Sequence, residues 1–317
     1  MVGYLSMKEQ SSPMPQNSFD LTLWSQQRLA QVELALLNWI NPQAPANLGE
    51  CMRYAALDGG KRLRPLLALA AREAVAQGDA RVEMDEAALR AGCAVELIHA
   101  YSLVHDDMPC MDNDVLRRGK PTVHVQFGEA QALLAGDALQ ALAFEVLTPE
   151  ASNIPSDVQA RLCRLLAVAA GYQGMAGGQA IDLASVGQAL TQDQLRQMHR
   201  LKTGALLEAS VMMGATCGKA GSQALNALQR YSQALGLAFQ VIDDVLDVIA
   251  DSATLGKTAG KDAANDKPTY VSLLGLAPAQ AYAEALLQEA LDALQDSGLT
   301  HTHALAALAQ HVVKRNT

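Results

Sequence analysis

The chain has 317 residues, of which 50% are hydrophobic, 4% aromatic and 18% charged. It contains 56 alanines and 47 leucines, and both residue types favour helices. A β-sandwich or barrel would need more aromatic and β-branched residues, and a disordered chain would have fewer apolar ones. The composition therefore predicts a large all-α protein.

The charge balance is acidic, with 24 Lys and Arg against 33 Asp and Glu and a net charge of −9 at pH 7. This argues against nucleic acid or an anionic membrane surface as a partner, because such binders carry a basic face. The 5 cysteines are scattered without a CxxC pair, which is typical of free thiols in the cytoplasm. The longest uncharged stretch, 165–181, is rich in glycine, so no membrane insertion is expected there.

Apolar residues recur at helical spacing along most of the chain after residues 1–20, which are predicted to be a flexible leader. The predicted helices cover 21–40, 49–76, 83–108, 121–147, 157–173, 192–217, 221–250, 278–296 and 301–313, with loops at 44–49, 149–155 and 252–267. No shift in composition and no repeat divides the chain. Residues 21–317 are therefore predicted to form a single domain.

Two acidic clusters interrupt apolar helical segments: DDMPCMD at 106–112 and DDVLD at 243–247. Each cluster by itself is compatible with a solvated helix face. Two of them, both flanked by apolar helix, favour a bound divalent cation, because like charges near apolar side chains need a counter-ion. Carboxylate ligands without histidine or thiolate favour Mg²⁺ or Mn²⁺ over Zn²⁺.

Pro109 lies within the first acidic cluster and cannot donate a backbone hydrogen bond to the carbonyl of His105. In a straight helix, Asp106 and Asp112 would lie on different faces. We therefore predict that the helix ends or bends near Pro109, and that this brings the two aspartates together.

Basic residues occur in two runs, GGKRLRP at 59–65 and RRGK at 117–120, although the chain as a whole is acidic. A run of basic residues is often a solvated surface. Beside acidic clusters, however, arginine and lysine are what a diphosphate needs in addition to its metal, because their N–H groups bind its remaining oxygens. Lys202 and Thr203, in KTG at 202–204, predict an ammonium and a hydroxyl for the same ligand.

In combination, these motifs are highly specific. From about residue 20 to its end, the chain resembles the bacterial short-chain trans-prenyltransferases, most closely those that make farnesyl diphosphate. The motifs that carry the resemblance are GGKRLRP at 59–65, DDMPCMD at 106–112, LRRGKPT at 116–122, KTG at 202–204 and FQVIDDVLD at 239–247. The resemblance implies an all-α bundle around a deep central cavity and a cytoplasmic homodimer. It also implies Mg²⁺ as cofactor, three ions per active site, with Mn²⁺ as an alternative.

The resemblance also assigns roles to single residues. The metal ligands would be Asp106, Asp107, Asp112, Asp243, Asp244 and Asp247. Isopentenyl diphosphate would be bound by Lys61, Arg64, His99 and Arg118, and the allylic diphosphate by Arg117, Lys202, Thr203, Gln240, Lys257 and Lys267. The catalytic set would be Asp106, Asp107, Asp112, Asp243, Asp244, Arg117 and Lys202. Without the resemblance, His99 would be read as a core histidine and Gln240 as a buried hydrogen-bonding group.

The implied reaction is a head-to-tail condensation of isopentenyl diphosphate with dimethylallyl and then geranyl diphosphate, which gives the C15 product farnesyl diphosphate. It would proceed by ionisation, condensation and elimination of a proton. Product length would depend on the depth of the apolar cavity below the first acidic cluster. The resemblance places Tyr101 and Ser102 at the floor of that cavity, because a bulky aromatic residue five positions before Asp106 limits the product to C15 in bacterial members.

Three alternatives stay open at this point. A geranylgeranyl diphosphate synthase, with a C20 product, is compatible with CMDNDVLRRGKPT at 110–122, and Tyr101 favours the shorter product. A terpene cyclase shares acidic Mg²⁺ motifs but has no second diphosphate for GGKRLRP to bind. A non-enzymatic helical scaffold would show no Mg²⁺-dependent binding of diphosphates.

Overall fold

The computed structural model describes residues 19–57, 59–76, 79–188, 190–249 and 268–314, and within these ranges most of the chain is helical, with almost no strand. The α-helices in chain order are α1 (Leu21–Trp39), α2 (Leu48–Ala56), α3 (Leu63–Ala76), α4 (Val82–Asp106), α5 (Val123–Phe127), α6 (Glu129–Leu147), α7 (Ser156–Ala170), α8 (Met175–Ala184), α9 (Gln192–His199), α10 (Ala205–Thr216), α11 (Ser222–Ile249), α12 (Tyr270–Leu274), α13 (Leu276–Asp296) and α14 (His303–Val313). A 3₁₀ turn covers Pro45–Asn47, a π-helical turn covers Arg200–Gly204, and a hairpin pairs β1 (Leu116–Arg117) antiparallel with β2 (Lys120–Pro121). The all-α prediction is confirmed.

Capping side chains define the starts of several helices. Asp20 precedes α1, and its carboxylate accepts a hydrogen bond from the backbone N–H of Leu23 at 3.0 Å. Before α9, the N–H of Gln194 donates to the Thr191 hydroxyl at 3.3 Å, and the N–H of Thr191 donates to Gln194 Oε1 at 2.9 Å. These bonds satisfy polar groups that the first turn of a helix leaves without a helical partner.

Two long helices organise the apolar core. Helix α4, of 25 residues, is the centre of one buried cluster that also takes side chains from α1, α2, α6, α7 and α10. Helix α11, of 28 residues, is the centre of a second cluster with α3, α13 and α14. Full burial of a leucine or methionine side chain stabilises a fold by about 1.5–3 kcal/mol. Because α4 ends at Asp106 and α11 carries 243–247 near its end, the core holds both acidic clusters in place.

Two predicted helices are interrupted in the structure. The single helix predicted over 49–76 is wrong, because α2 and α3 are separated at Gly59 and Gly60, where φ is +75° and +123°. These angles are incompatible with a right-handed helix and are easily adopted by glycine. The single helix predicted over 121–147 is also wrong, since Gly128, with φ of +89°, divides it into α5 and α6.

The remaining predictions agree with the structure to within three residues at each helix end, with 192–217 continuing through the π-helical turn. Helix α8, helix α12 and the hairpin were not predicted. Helix α8 contains two adjacent glycines, which lower helical propensity and mask the pattern. The loop 252–267 and all but the last two residues of the leader 1–20 lie outside the described residues, so both stay predictions, as does the single-domain assignment.

Two of the described helices, α4 and α6, are long and apolar enough to cross a membrane. In α4, 67% of the apolar window is buried within the bundle, as in the core helix of a globular protein. In α6 the buried share is only 39%, and Leu133 and Leu134 are 48% and 52% exposed. Helix α6 therefore has two adjacent exposed leucines, Leu133 and Leu134, that no other described element covers.

Candidate active site

A cavity of about 410 Å³ lies between α4, α8 and the π-helical turn. It brings together seven of the predicted site residues, Arg64, His99, Tyr101, Ser102, Asp106, Lys202 and Thr203. Its wall also contains apolar side chains from several helices and from the turn after α4, among them Leu103, Met111, Met175, Leu183 and Leu206. The cavity therefore has charged groups and an apolar lining side by side, as a ligand with a polar head and a hydrocarbon tail requires.

The first acidic cluster lies at the end of α4, where the chain turns back on itself. The N–H of Asp112 donates to the backbone carbonyl of Asp106 at 2.9 Å, so the predicted bend next to Pro109 is confirmed. Burial raises the pKa of Asp106 to about 6, Lys202 opposes this rise, and Asp112 adds to it. The two carboxylates are thus close enough to interact, burial disfavours the charged form of Asp106, and a bound cation would relieve that cost.

Asp107 lies outside the lining of this cavity and pairs with the hairpin. Its side chain is buried, and Arg117 donates to its two oxygens at 2.8 and 2.6 Å. The guanidinium of Arg117 also lies within electrostatic range of Asp106 and Asp112. The structure therefore places Asp107 as the residue that positions Arg117 beside the acidic cluster. Its assignment as a metal ligand stays a prediction.

The second acidic cluster lies in the last turns of α11. Asp244 is buried and accepts hydrogen bonds from Gln240 Nε2 at 3.0 Å and from the N–H of Tyr270 at 2.7 Å. The hydroxyl of Thr203 in turn donates to Gln240 Oε1 at 3.0 Å. Asp243 is half-buried and within electrostatic range of Arg64, and Asp247 is buried. This hydrogen-bond chain ties the second cluster to the wall of the cavity.

Arg118 of the hairpin lies beside the GGKRLRP segment. Arg118 donates to the carbonyl of Gly59 at 2.7 Å, so this hairpin arginine lies against segment 59–65. The same segment contains Lys61, which is exposed, and Arg64. Burial holds the pKa of His99 well below its usual value, and Arg64 and Arg118 lower it further. His99 is therefore neutral at pH 7 and would donate a hydrogen bond to an anion rather than add a charge. Lys257 and Lys267 lie outside the described residues, and their roles stay predictions.

The sequence interpretation missed Asp182, which holds Lys202. Lys202 Nζ donates to Asp182 Oδ2 at 2.5 Å, and the carboxylate is 6% exposed. The two helical segments approach closely, because a Cβ atom at Gly178 would lie 2.1 Å from the backbone nitrogen of Lys202. The π-helical turn at 200–204 then projects Lys202 and Thr203 into the cavity, and such turns recur at functional sites. One signal was present, since Asp182 is the first charge after the uncharged stretch 165–181.

Arg62 was also missed, and it acts within the fold rather than toward the cavity. Its guanidinium donates to Glu96 Oε1 at 2.9 Å, to Glu33 Oε1 at 2.7 Å and to the carbonyl of Ala56 at 2.6 Å. Arg62 therefore anchors the GGKRLRP loop between α1 and α4 and leaves its neighbours Lys61 and Arg64 to face outward and into the cavity. Nothing in the spacing of the three basic residues distinguishes this role.

We expect Arg62→Met to lower the free energy of unfolding by about 3–5 kcal/mol, because it leaves the carboxylate of Glu96 buried without its counter-ion. The two side chains are only 3% and 6% exposed. Urea unfolding at neutral pH measures the effect. As a control, Arg230→Met breaks a pair with Asp296 that is 55% and 62% exposed, and should cost about 1 kcal/mol or less. Equal losses in the two variants would contradict the anchoring role.

The donor groups suit a hard divalent cation that is shared with a phosphorylated ligand. Among the described residues, no three His, Cys, Asp or Glu side chains converge to form a metal site from protein atoms alone. Mg²⁺ is commonly held by one or two carboxylates together with substrate phosphates and water. Asp106 lines the cavity and has Asp112 within electrostatic range, and Asp243 is within electrostatic range of Arg64, which lines the same cavity. The residues therefore fit Mg²⁺ bound with a diphosphate.

Known proteins share both the sequence and the fold. The polyprenyl synthetase family profile matches residues 45–307. A probable farnesyl diphosphate synthase of Bradyrhizobium diazoefficiens is 50% identical over 294 residues, which cover 91% of this chain and 86% of that protein. The farnesyl diphosphate synthase of Escherichia coli is 46% identical over 295 residues, which cover 90% of this chain and 96% of that protein. Plant geranylgeranyl pyrophosphate synthases match at 42% and 43% identity.

A solved structure of a related protein has a similar fold. The crystal structure of a geranyltransferase from Helicobacter pylori, complexed with magnesium and isoprenyl diphosphate, is similar with a TM-score of 0.80 at 33% identity. The match covers 95% of this chain and 98% of that chain. The family match over 45–307 is more than half of the 317 residues. The chain therefore belongs to the polyprenyl synthetase family, as its motifs predicted.

Proposed function

We propose that this protein condenses isopentenyl diphosphate with dimethylallyl diphosphate and then with geranyl diphosphate, and releases farnesyl diphosphate. One observation carries the proposal. A single cavity holds Asp106 of the first acidic cluster, Lys202 of the KTG motif, Arg64 of the GGKRLRP motif and an apolar wall that includes Tyr101. Relatives that are 50% and 46% identical to this chain bear the name of this activity.

We propose Mg²⁺ as the cofactor, three ions per site with Mn²⁺ as an alternative, held by Asp106 and Asp112 from one side and by Asp243 and its neighbours from the other. Bound there, it would neutralise the charge that develops on the diphosphate leaving group. The donor set supports this, since it consists of oxygens only. The buried Asp244 and Asp247 would shape the second cluster from behind.

The chain's own cations would bind and orient the allylic diphosphate. Lys202 is held by Asp182 and Arg117 by Asp107, so both cations are positioned before substrate arrives. Preorganised charges of this kind stabilise a developing negative charge at little reorganisation cost. Thr203, tied to Gln240, would add a hydroxyl donor. These contacts would place the allylic carbon next to the second substrate.

The second substrate, isopentenyl diphosphate, would bind at Lys61, Arg64, Arg118 and neutral His99. Burial lowers the pKa of Arg64, Glu96 and Asp243 oppose this fall, and Arg118 adds to it, so a bound diphosphate would relieve the cost of burying the Arg64 charge. The apolar wall would exclude water from the allylic cation that ionisation generates. After the new bond forms, the diphosphate released in the first step would accept the proton, so no protein base is required.

Incubation of the purified protein with isopentenyl and dimethylallyl diphosphate, followed by chromatography of the products, tests the proposal directly. We expect a C15 product as the main species. A dominant C20 product would favour a geranylgeranyl diphosphate synthase instead. A cyclic hydrocarbon formed from added farnesyl diphosphate, with no condensation of the two C5 substrates, would favour a terpene cyclase.

A thermal-shift titration separates these enzymes from a helical scaffold. We expect the melting temperature to rise when Mg²⁺ and inorganic diphosphate are added together and to change little with either alone, because each completes the other's binding site. A ligand at a hundred times its Kd stabilises the native state by about 2.7 kcal/mol. No rise with the combination would contradict diphosphate binding, and excess chelator should reverse the rise.

We propose that a second copy of this chain covers the exposed leucines of α6, so that the protein is a homodimer. We also propose that it is located in the cytoplasm and does not insert into a membrane. Leu133 and Leu134 are adjacent and 48% and 52% exposed, and adjacent exposed leucines favour an interaction surface. Light scattering should give about twice the chain mass of 33.6 kDa. Leu133→Glu with Leu134→Glu should yield the monomer mass. Val82→Glu, at a site that is 77% exposed outside α6, should leave the dimer intact.

A further inference from the structure

His105 is a cavity residue to which no role has been assigned so far. It stands one turn of α4 after Tyr101, and both side chains line the cavity. The two rings meet edge to face, with centroids 5.6 Å apart and planes at 72°. Such aromatic pairs contribute about 0.5–1.5 kcal/mol beyond the area they bury.

The other side of the His105 ring lies against the backbone of α6. Its Nε2–H donates to the carbonyl of Leu133 at 3.1 Å. A Cβ atom at Gly136 would lie 2.0 Å from Nε2 and 2.5 Å from Cδ2 of His105, so the ring occupies the space that only glycine leaves there. His105 is therefore wedged between the backbone of α6 and the ring of Tyr101.

We propose that His105 is a positioning residue that sets product length, because it holds the Tyr101 ring in the path of the growing hydrocarbon chain. The inference rests on the proposed role of Tyr101 in limiting the product to C15. With α6 behind it, the His105 ring prevents Tyr101 from moving back toward α6. Gly136 is part of this arrangement, because the absence of a Cβ atom there leaves room for the His105 ring.

Two substitutions should shift product length in opposite directions. His105→Ala opens space behind Tyr101, so the ring can withdraw and the C20 to C15 ratio should rise at least about tenfold, as expected when a hydrophobic pocket is enlarged. Gly136→Ala forces the His105 ring toward Tyr101, so the cavity narrows and the ratio of C10 to C15 product should rise by a similar factor. A merely structural role would lower the activity of both variants without opposite shifts.

The experiment compares the product distributions of wild type, His105→Ala and Gly136→Ala at equal consumption of isopentenyl diphosphate. His301→Ala is the matched control for histidine, because His301 is exposed and outside the cavity lining. Gly221→Ala is the control for glycine, since a Cβ atom there would meet nothing within 4 Å. Both controls should keep the wild-type distribution. Unchanged distributions in His105→Ala and Gly136→Ala, or shifts in the same direction, would overturn the proposal.

His105→Phe keeps the test decisive if Gly136→Ala does not fold. Phenylalanine cannot donate to the carbonyl of Leu133, but it retains an aromatic ring against Tyr101. The C15 product should therefore be preserved. The same distribution in His105→Phe and His105→Ala would refute the wedge. Failure of the proposed function would appear as absence of C15 product in the wild type. If only this inference fails, the wild type still makes C15 product and Tyr101→Ala still makes longer products.

Discussion

Replacement of Asp106 by asparagine should lower kcat at least about 10³-fold, because the loss of a metal-binding carboxylate removes several kcal/mol of charge stabilisation from the transition state. Asparagine has the same shape as aspartate and keeps the contacts of the cavity wall. The fold should not be destabilised, since burial already disfavours the charged form of Asp106, whose pKa is raised to about 6. The variant thus separates a catalytic defect from a folding defect.

Steady-state rates with saturating Mg²⁺ and both diphosphates measure this effect, and thermal unfolding in the same buffer checks the fold. Asp157→Asn is the matched control, because Asp157 is an exposed carboxylate in the first turn of α7. It should leave kcat within about twofold, as expected for a surface substitution. An Asp106→Asn enzyme with nearly wild-type kcat would contradict the proposed metal site.

The second expected result concerns product length. Tyr101→Ala should convert the main product from C15 to C20 or longer, with a rise in the C20 to C15 ratio of at least about tenfold. The substitution removes a ring that lines the cavity and leaves Asp106, Lys202 and Arg64 in place, so condensation continues while its stopping point moves. Consumption of isopentenyl diphosphate should therefore continue in the variant.

Chromatography of the reaction products measures the ratio. Tyr172→Ala is the matched control, since Tyr172 is 82% exposed and outside the lining of this cavity. It should keep the C15 product. An unchanged C15 product in Tyr101→Ala would refute the assignment of Tyr101 as the cavity floor. The proposal of condensation activity does not depend on this result.

Ideal helix geometry did not predict that Tyr101 and Asp106 share a cavity, because residues five positions apart lie on different faces of a helix. The structure resolves this. The cavity extends around the last two turns of α4 and is lined by both residues. The neighbouring elements, here α8 and the π-helical turn, decide which part of a helix surface borders a cavity. The sequence of α4 does not specify these neighbours.

The residues themselves determined the class of fold and the type of site. Alanine and leucine content predicted helices, Pro109 predicted the turn that joins Asp106 to Asp112, and the motifs predicted the family. Local physics is sufficient for the helices and the turn, because helical propensity and proline stereochemistry act over a few residues, whereas the family follows from the resemblance of the motifs.

Tertiary structure alone decided how the site is supported. Asp107 pairs with Arg117 across 10 positions, Asp182 with Lys202 across 20, and Arg62 with Glu96 across 34. Each cation had several carboxylates within reach by sequence, and only the packing of helices selects one of them. A buried charge is stable only with the partner that packing brings to it, so these pairs follow from the assembled core and not from the order of the residues.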